Sequence, residues 1–159
     1  MPDNRAAFEE LWQTVCGRPS AGPAEDEELA RIAQTLTVAP VGDVEERAWA
    51  LNALAAALAT LGLPGEALAV LRASVRVEAS NEARIASFAC AAVIRADQGE
   101  FEDAARLARM VEDATGDPEL LRALGRALEE RAREAGDEEL LDAALGCVRW
   151  ADLEDAYAA

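Results

Sequence analysis

Apolar residues recur along this chain at steps of three and four, the spacing that lines up side chains on one face of an α-helix. Three glycines, Gly62, Gly99 and Gly136, stand 37 residues apart, and the pattern after each repeats in register. Five residues on come Ala67, Ala104 and Leu141. Eight and nine on come Val70 and Leu71, Leu107 and Ala108, then Ala144 and Leu145, and twelve on come Ser74, Val111 and Val148. Those offsets trace a single helix face three times over. Before the glycines run Leu51, Leu54, Leu58 and Leu61, then Phe88, Ala91 and Ala92, then Leu121, Leu124, Leu128 and Ala132. Each of these first helices has a readable start. Asp43 with Glu46 three later forms a variant capping box, Ser80 or Asn81 is a natural N-cap, and Asp117 precedes a proline at the first helical position. The predicted unit is a helix, a tight glycine turn, a second helix and a short link.

Residues 1–40 fit a degenerate earlier pair. Phe8, Leu11, Trp12 and Val15 make one amphipathic face, and Leu29, Ile32, Ala33 and Leu36 another. The connection between them, GRPSAGPA at 17–24, is looser than the later turns. At the other end Trp150, Leu153 and Tyr157 predict a short last helix at 151–159 that caps the array, since each unit buries its face only against neighbours.

The pattern resembles the tetratricopeptide-repeat family. The best-matching stretch is FACAAVIRADQGEFEDAARLARMV at 88–111, with Phe88 at the first large position, Ala92 at the small one, Gly99 in the turn and Ala104 at the close helix contact. The unit around Gly62 is similar through Leu51, Ala55, Ala67 and Leu71, while the third departs at Gly125, Glu129 and Leu141. The 37-residue period exceeds the family's usual 34, but three extra residues add about one turn and keep the same face inward. The resemblance implies an all-α fold: a right-handed α-α solenoid of eight or nine helices in one domain, with units at 43–79, 80–116 and 117–150. It also implies a concave groove, lined by the first helices, that holds a peptide or a partner helix. Carried over position by position, the groove set is Trp49, Asn52, Ala53 and Ala56, then Ala89, Cys90, Val93 and Asp97, then Arg126, Ala127 and Glu130. The carboxylate clamp of some family members is not expected, because only Asn52 and Arg126 match it and Asp97 and Glu130 oppose it. Trp49 either anchors an apolar side chain of the partner or packs against the neighbouring helix pair.

Composition narrows the chemistry. The 159 residues are 52% hydrophobic but only 4% aromatic, so the core is built from Ala, Leu and Val, the low-cost helix formers among them. There is no histidine, and all 15 basic residues are arginine. That excludes a His-based triad, a His-ligated zinc, a Schiff-base lysine and a Walker A lysine. Cys16, Cys90 and Cys147 are far apart and in no CxxC spacing, so no disulfide framework or zinc site is expected and the thiols read as core packing. The start carries no basic segment followed by an apolar run, and the longest apolar stretch, 53–63, is too short to span a bilayer, so a cytoplasmic, membrane-free protein is expected.

A formal charge of −16 disfavours nucleic acid, whose binding relies on Lys and Arg against phosphates. Acid-rich stretches at 25–28, 43–46, 100–103, 137–139 and 152–155 all fall at predicted helix starts, where carboxylates complement the helix dipole. None has the alternating ligand pattern of a hard-cation loop, so no metal and no cofactor is expected. No carboxylate pair stands out as an acid–base couple either, and a non-enzymatic role follows. The expected function is a protein-interaction module, an adaptor or chaperone-like protein, for a partner that is itself basic. The alternative is an acidic inhibitor or immunity-type protein covering a basic enzyme such as a nuclease. The apolar faces of the first and last helices leave pairing with a second copy open.

Overall fold

The structure, a computed structural model, describes residues 4–17 and 43–158. Those residues are all-helical, without a strand. Seven helices are present among them: α1 (Asn4–Gly17), α2 (Val44–Thr60), α3 (Pro64–Arg76), α4 (Asn81–Asp97), α5 (Phe101–Ala114), α6 (Pro118–Ala135) and α7 (Glu138–Ala158). The predicted helix face at Leu29–Leu36, most of the 17–24 connection and the acid run at 25–28 lie outside the described residues. A separate last helix does not form. No glycine or proline follows Gly146, and α7 continues unbroken through 150–158. The acids at 152–155 therefore sit inside a helix and not at the start of one.

The 37-residue period is written in the backbone. Gly62, Gly99 and Gly136 have φ of 80°, 80° and 68°, a left-handed conformation that costs a residue with a Cβ roughly 1–2 kcal/mol. At each, the glycine N–H bonds a carbonyl three residues back (Ala59, Ala96, Arg133), and the next N–H bonds one five back (Leu58, Arg95, Ala132) at 3.0, 2.9 and 3.0 Å. This double closure satisfies the carbonyls that a helix end leaves open. The residue after the glycine then opens the following helix at once: the carbonyls of Leu63, Glu100 and Asp137 accept from Ala67, Ala104 and Leu141. The caps of the first helices keep the same period. Asp43 accepts from the Glu46 N–H at 2.8 Å, the Ser80 hydroxyl from Ala83 at 3.2 Å, and Asp117 from Glu119 and Leu120 at 3.0 and 3.3 Å. Ser80, not Asn81, is the capping side chain of α4.

The helices gather into two compact units, residues 1–90 and 91–159, and the division falls within α4. In the first, α2 packs on α1 and on α3. Its inward face is not the leucine stripe that periodicity picks out. Ala48, Ala53, Ala55, Ala56 and Ala57 are buried with Trp49 and Asn52, whereas Leu51, Leu54, Leu58 and Leu61 stay half-buried. Alanine lets helix axes approach closely, and the leucines then lie at the flanks of the contact. In the second unit α7 packs on α5 and α6. Here Leu121, Leu124, Leu128 and Ala132 are buried, as their spacing predicts.

The third repeat differs on its second helix. Ala67, Leu71 and Ser74, and likewise Ala104, Ala108 and Val111, are buried. Their counterparts Leu141, Leu145 and Val148 are only half-buried, and Leu140, Ala144, Cys147 and Ala151 turn inward instead. Leu141 replaces the small residue at the close contact, and the inward stripe moves by one residue, about 100° around the helix. Gly125 accommodates the change. A Cβ there would lie 2.6 Å from Val148 Cγ2 and 2.8 Å from the Ala144 carbonyl oxygen.

The variant Gly125→Ala weighs two effects against each other. Alanine gains about 1 kcal/mol in helix propensity, but overpacking against a backbone carbonyl costs about 1–3 kcal/mol. The clash dominates, and urea unfolding is expected to show a net loss of about 1–2 kcal/mol. Val148→Ala in the same chain recovers only part of it, because the Ala144 carbonyl remains in place.

Candidate interaction surface

The residues that the repeat resemblance assigns to a groove fall into two groups by exposure. Trp49, Asn52, Ala53, Ala56, Ala89 and Cys90, all within residues 1–90, are buried. Val93 and Ala127, within residues 91–159, are buried too, whereas Asp97, Arg126 and Glu130 are exposed. A side chain without accessible surface touches no partner in this structure, so the reachable part of the set is its three charged members.

Trp49 takes the packing role. Its ring lies 5.6 Å from Phe8 and carries the Arg5 guanidinium 4.9 Å from its centroid, and Phe8 in turn stacks on Trp12. Its indole N–H donates to Glu45 Oε1 at 2.9 Å. The Glu45 carboxylate also accepts the Ser80 hydroxyl at 2.5 Å and the Ser80 backbone N–H at 2.8 Å, which ties the start of α2 to the start of α4. Asn52 is the centre of a second buried cluster. Its Nδ2 donates to the Ala83 carbonyl at 2.9 Å, and its Oδ1 accepts from Ser74 on α3 at 2.9 Å and Ser87 on α4 at 2.6 Å. Each of these polar groups is satisfied inside the fold, the condition for burying it without a net penalty.

Arg131, absent from the expected set, is the most deeply buried charge among the described residues. It is 1% exposed; its Nε donates to Asp97 Oδ1 at 2.5 Å, its Nη2 to Oδ2 at 3.3 Å and its Nη1 to the Ala127 carbonyl at 3.0 Å. This two-pronged grip fixes the Asp97 carboxylate at the surface of its unit. The repeat itself held the signal: the positions 37 and 74 residues earlier are Ile94 and Ala57, both buried. An arginine at a position the period reserves for the core must bring its own acid.

The two buried thiols are held in their neutral form. Burial pushes the Cys90 thiol up, with the Cys16 charge adding to it, and pushes Cys147 up to about 12, so neither offers a thiolate at neutral pH. No group of three or more His, Cys, Asp or Glu side chains among the described residues is placed to hold a metal ion. None of the described helices is long and apolar enough to cross a membrane. Comparison with protein-family models, with curated proteins and with solved structures found no match.

Two measurements follow. Hydrogen bonds from Ser80, helped by its N–H, by Trp49 and by the Arg5 charge, hold the Glu45 carboxyl below its ordinary value of 4.5, against the opposing effect of burial. A depressed folded-state pKa adds stability that is complete above the unfolded value and is lost as pH falls through the folded one. Glu45→Gln is therefore expected to cost about 1 kcal/mol at pH 7, allowing for solvent screening, with the difference from wild type shrinking below about pH 4 in paired melts. In a thiol-reagent titration at pH 7.5, Cys90 and Cys147 are expected to react only after denaturation, while half-buried Cys16 reacts first.

Proposed function

We propose that this chain is a non-enzymatic, tetratricopeptide-like repeat protein that binds a basic partner protein in the cytoplasm, as an adaptor or chaperone-like module. The observation that carries the reading is where its carboxylates stand. Every helix after α1 has an acid in its first turn, where the dipole favours it, and folding accounts for those. Asp97, Glu112, Asp113 and Glu134 stand instead in the last turn of α4, α5 and α6. There the dipole opposes a negative charge by about 0.3–1 kcal/mol each. Asp97 answers the buried Arg131, but folding alone does not ask for Glu112 and Asp113, and recognition of positive charge does.

The exposed members of the expected set point the same way. Asp97 is presented by Arg131, with Glu130 on the surface of the same unit and Arg126 one turn before it. Burial of Trp49 and Asn52 shifts the recognition from an apolar inner groove toward charged surface. That surface also suits the second reading, an acidic cover for a basic enzyme, and the two differ only in whether the partner loses an activity when bound.

The test is capture from lysate of the source cell on immobilised protein, eluted with a salt gradient. Exposed charges are screened beyond about 8 Å at physiological salt, so release is expected between about 0.05 and 0.5 M. The captured partner should be basic, and the double variant D113N/E130Q should release it at lower salt. Retention that ignores salt, or no captured protein at low salt, overturns the proposal.

A further inference from the structure

One face of α7 is left uncovered by the packing of residues 91–159. Trp150 and Leu153 are 39% and 49% exposed, and Gly146 precedes Trp150 by one helical turn on the same face. The Glu112 carboxylate, from the last turn of α5, fills the notch above that glycine, with Oε2 3.0 Å from where a Cβ would stand. Three exposed or half-exposed features thus follow one another along about 10 Å of helix: a carboxylate, an indole and a leucine.

The carboxylate is poorly compensated. It makes no hydrogen bond or ion pair among the described residues. Burial and the neighbouring Asp113 push its pKa up, with Asp142 adding, while Arg149 and Arg109 only partly offset them. Arg109 is itself engaged by Glu139 at 3.3 Å and Asp142 at 4.0 Å. Asp97, which also ends a helix, has a buried arginine gripping it. Glu112 has no counterpart of Arg131.

We propose that this stripe seats a helix of a basic partner, which presents an arginine or lysine to Glu112 and large apolar side chains to Trp150 and Leu153. The inference rests on the binding reading above and gives it a location. Charge complementarity selects the occupant. A cation at Glu112 relieves the repulsion from Asp113 and Asp142, whereas a second copy of this chain brings another −16 to the contact. The spacing Gly146, Trp150, Leu153 specifies the partner: its apolar residues lie four and seven positions from its basic one when the helices run side by side. A half-buried carboxylate beside other acids, without a basic partner inside its own fold, is a common mark of a recognition site.

The experiment is selection of a displayed library of helical peptides on the wild-type chain, with counter-selection on the triple variant E112Q/W150S/L153S. Enriched peptides are expected to carry Arg or Lys with large apolar residues four and seven positions away. Synthesised, they should bind at least tenfold more weakly to E112Q alone and to W150S/L153S, and unchanged to E66Q on α3. E112Q should melt no lower than wild type, which separates lost recognition from lost folding. No enrichment over the triple variant, enrichment without the basic residue, or binding indifferent to E112Q overturns the proposal. So does a wild-type dimer, seen by sedimentation, that W150S/L153S converts to monomer. Lysate capture distinguishes the two levels: a salt-sensitive partner held equally by the triple variant removes this location but leaves the binding reading, and no partner at all removes both.

Discussion

A helix end leaves four backbone N–H or four C=O groups without partners, and a chain of short helices must resolve that problem again and again. Here it is resolved with one schedule. Side-chain caps at 43, 80 and 117 open the first helices, and left-handed glycines at 62, 99 and 136 close them with paired backbone bonds. In each case the residue after the glycine is already the start of the next helix. The turn therefore has no slack, and where the first helix ends and the second begins is fixed by where the glycine falls. Side chains adjust around that frame: the third repeat turns its second helix by one residue, and Gly125 gives it room, while caps and turns stay on period.

Close approach through alanine has a second consequence. A core of small side chains offers few shape-specific contacts, because alanine fits many registers equally well. The polar clusters supply the missing specificity. Asn52 joins Ser74 and Ser87 across three helices, Glu45 joins two helix starts through Ser80 and Trp49, and Arg131 joins α6 to the end of α4. Each has directional bonds that one register satisfies and a slip would leave unpaired in the interior, at about 1–3 kcal/mol per group.

What was legible in the sequence follows from the same division. Backbone constraints speak through particular residue types, so Gly62, Gly99, Gly136, Asp43 and Asp117 announce their roles, and only the choice between Ser80 and Asn81 needed coordinates. Helix faces are less legible. In an alanine-rich helix nearly every position is apolar, so spacing picked the leucines of α2 while packing chose its alanines. The reach of α7 past 150 was hidden because apolar residues at 150, 153 and 157 look alike in a new helix and in the continuation of an old one. The groove set rests on position within the repeat, which says which helix a residue is on and not how much of it the neighbours cover. Arg131 was readable in principle, as a charge at a core position of the period, but only once burial at Ile94 and Ala57 was known.

The acids separate what folding requires from what it tolerates. First-turn carboxylates stabilise the helix they start, and the effect fades within that turn. Those in last turns act in the opposite sense, and the chain treats two of them differently. Asp97 is matched by an arginine in the core, whereas Glu112 is left half-buried beside Asp113 over a glycine that makes space for it. Arg149 of α7 stands near enough to act on Glu112 but offsets burial and the neighbouring acids only in part. In the proposed reading, that contrast is the difference between a charge matched within the fold, Asp97, and one left beside exposed indole and leucine for a partner to match, Glu112.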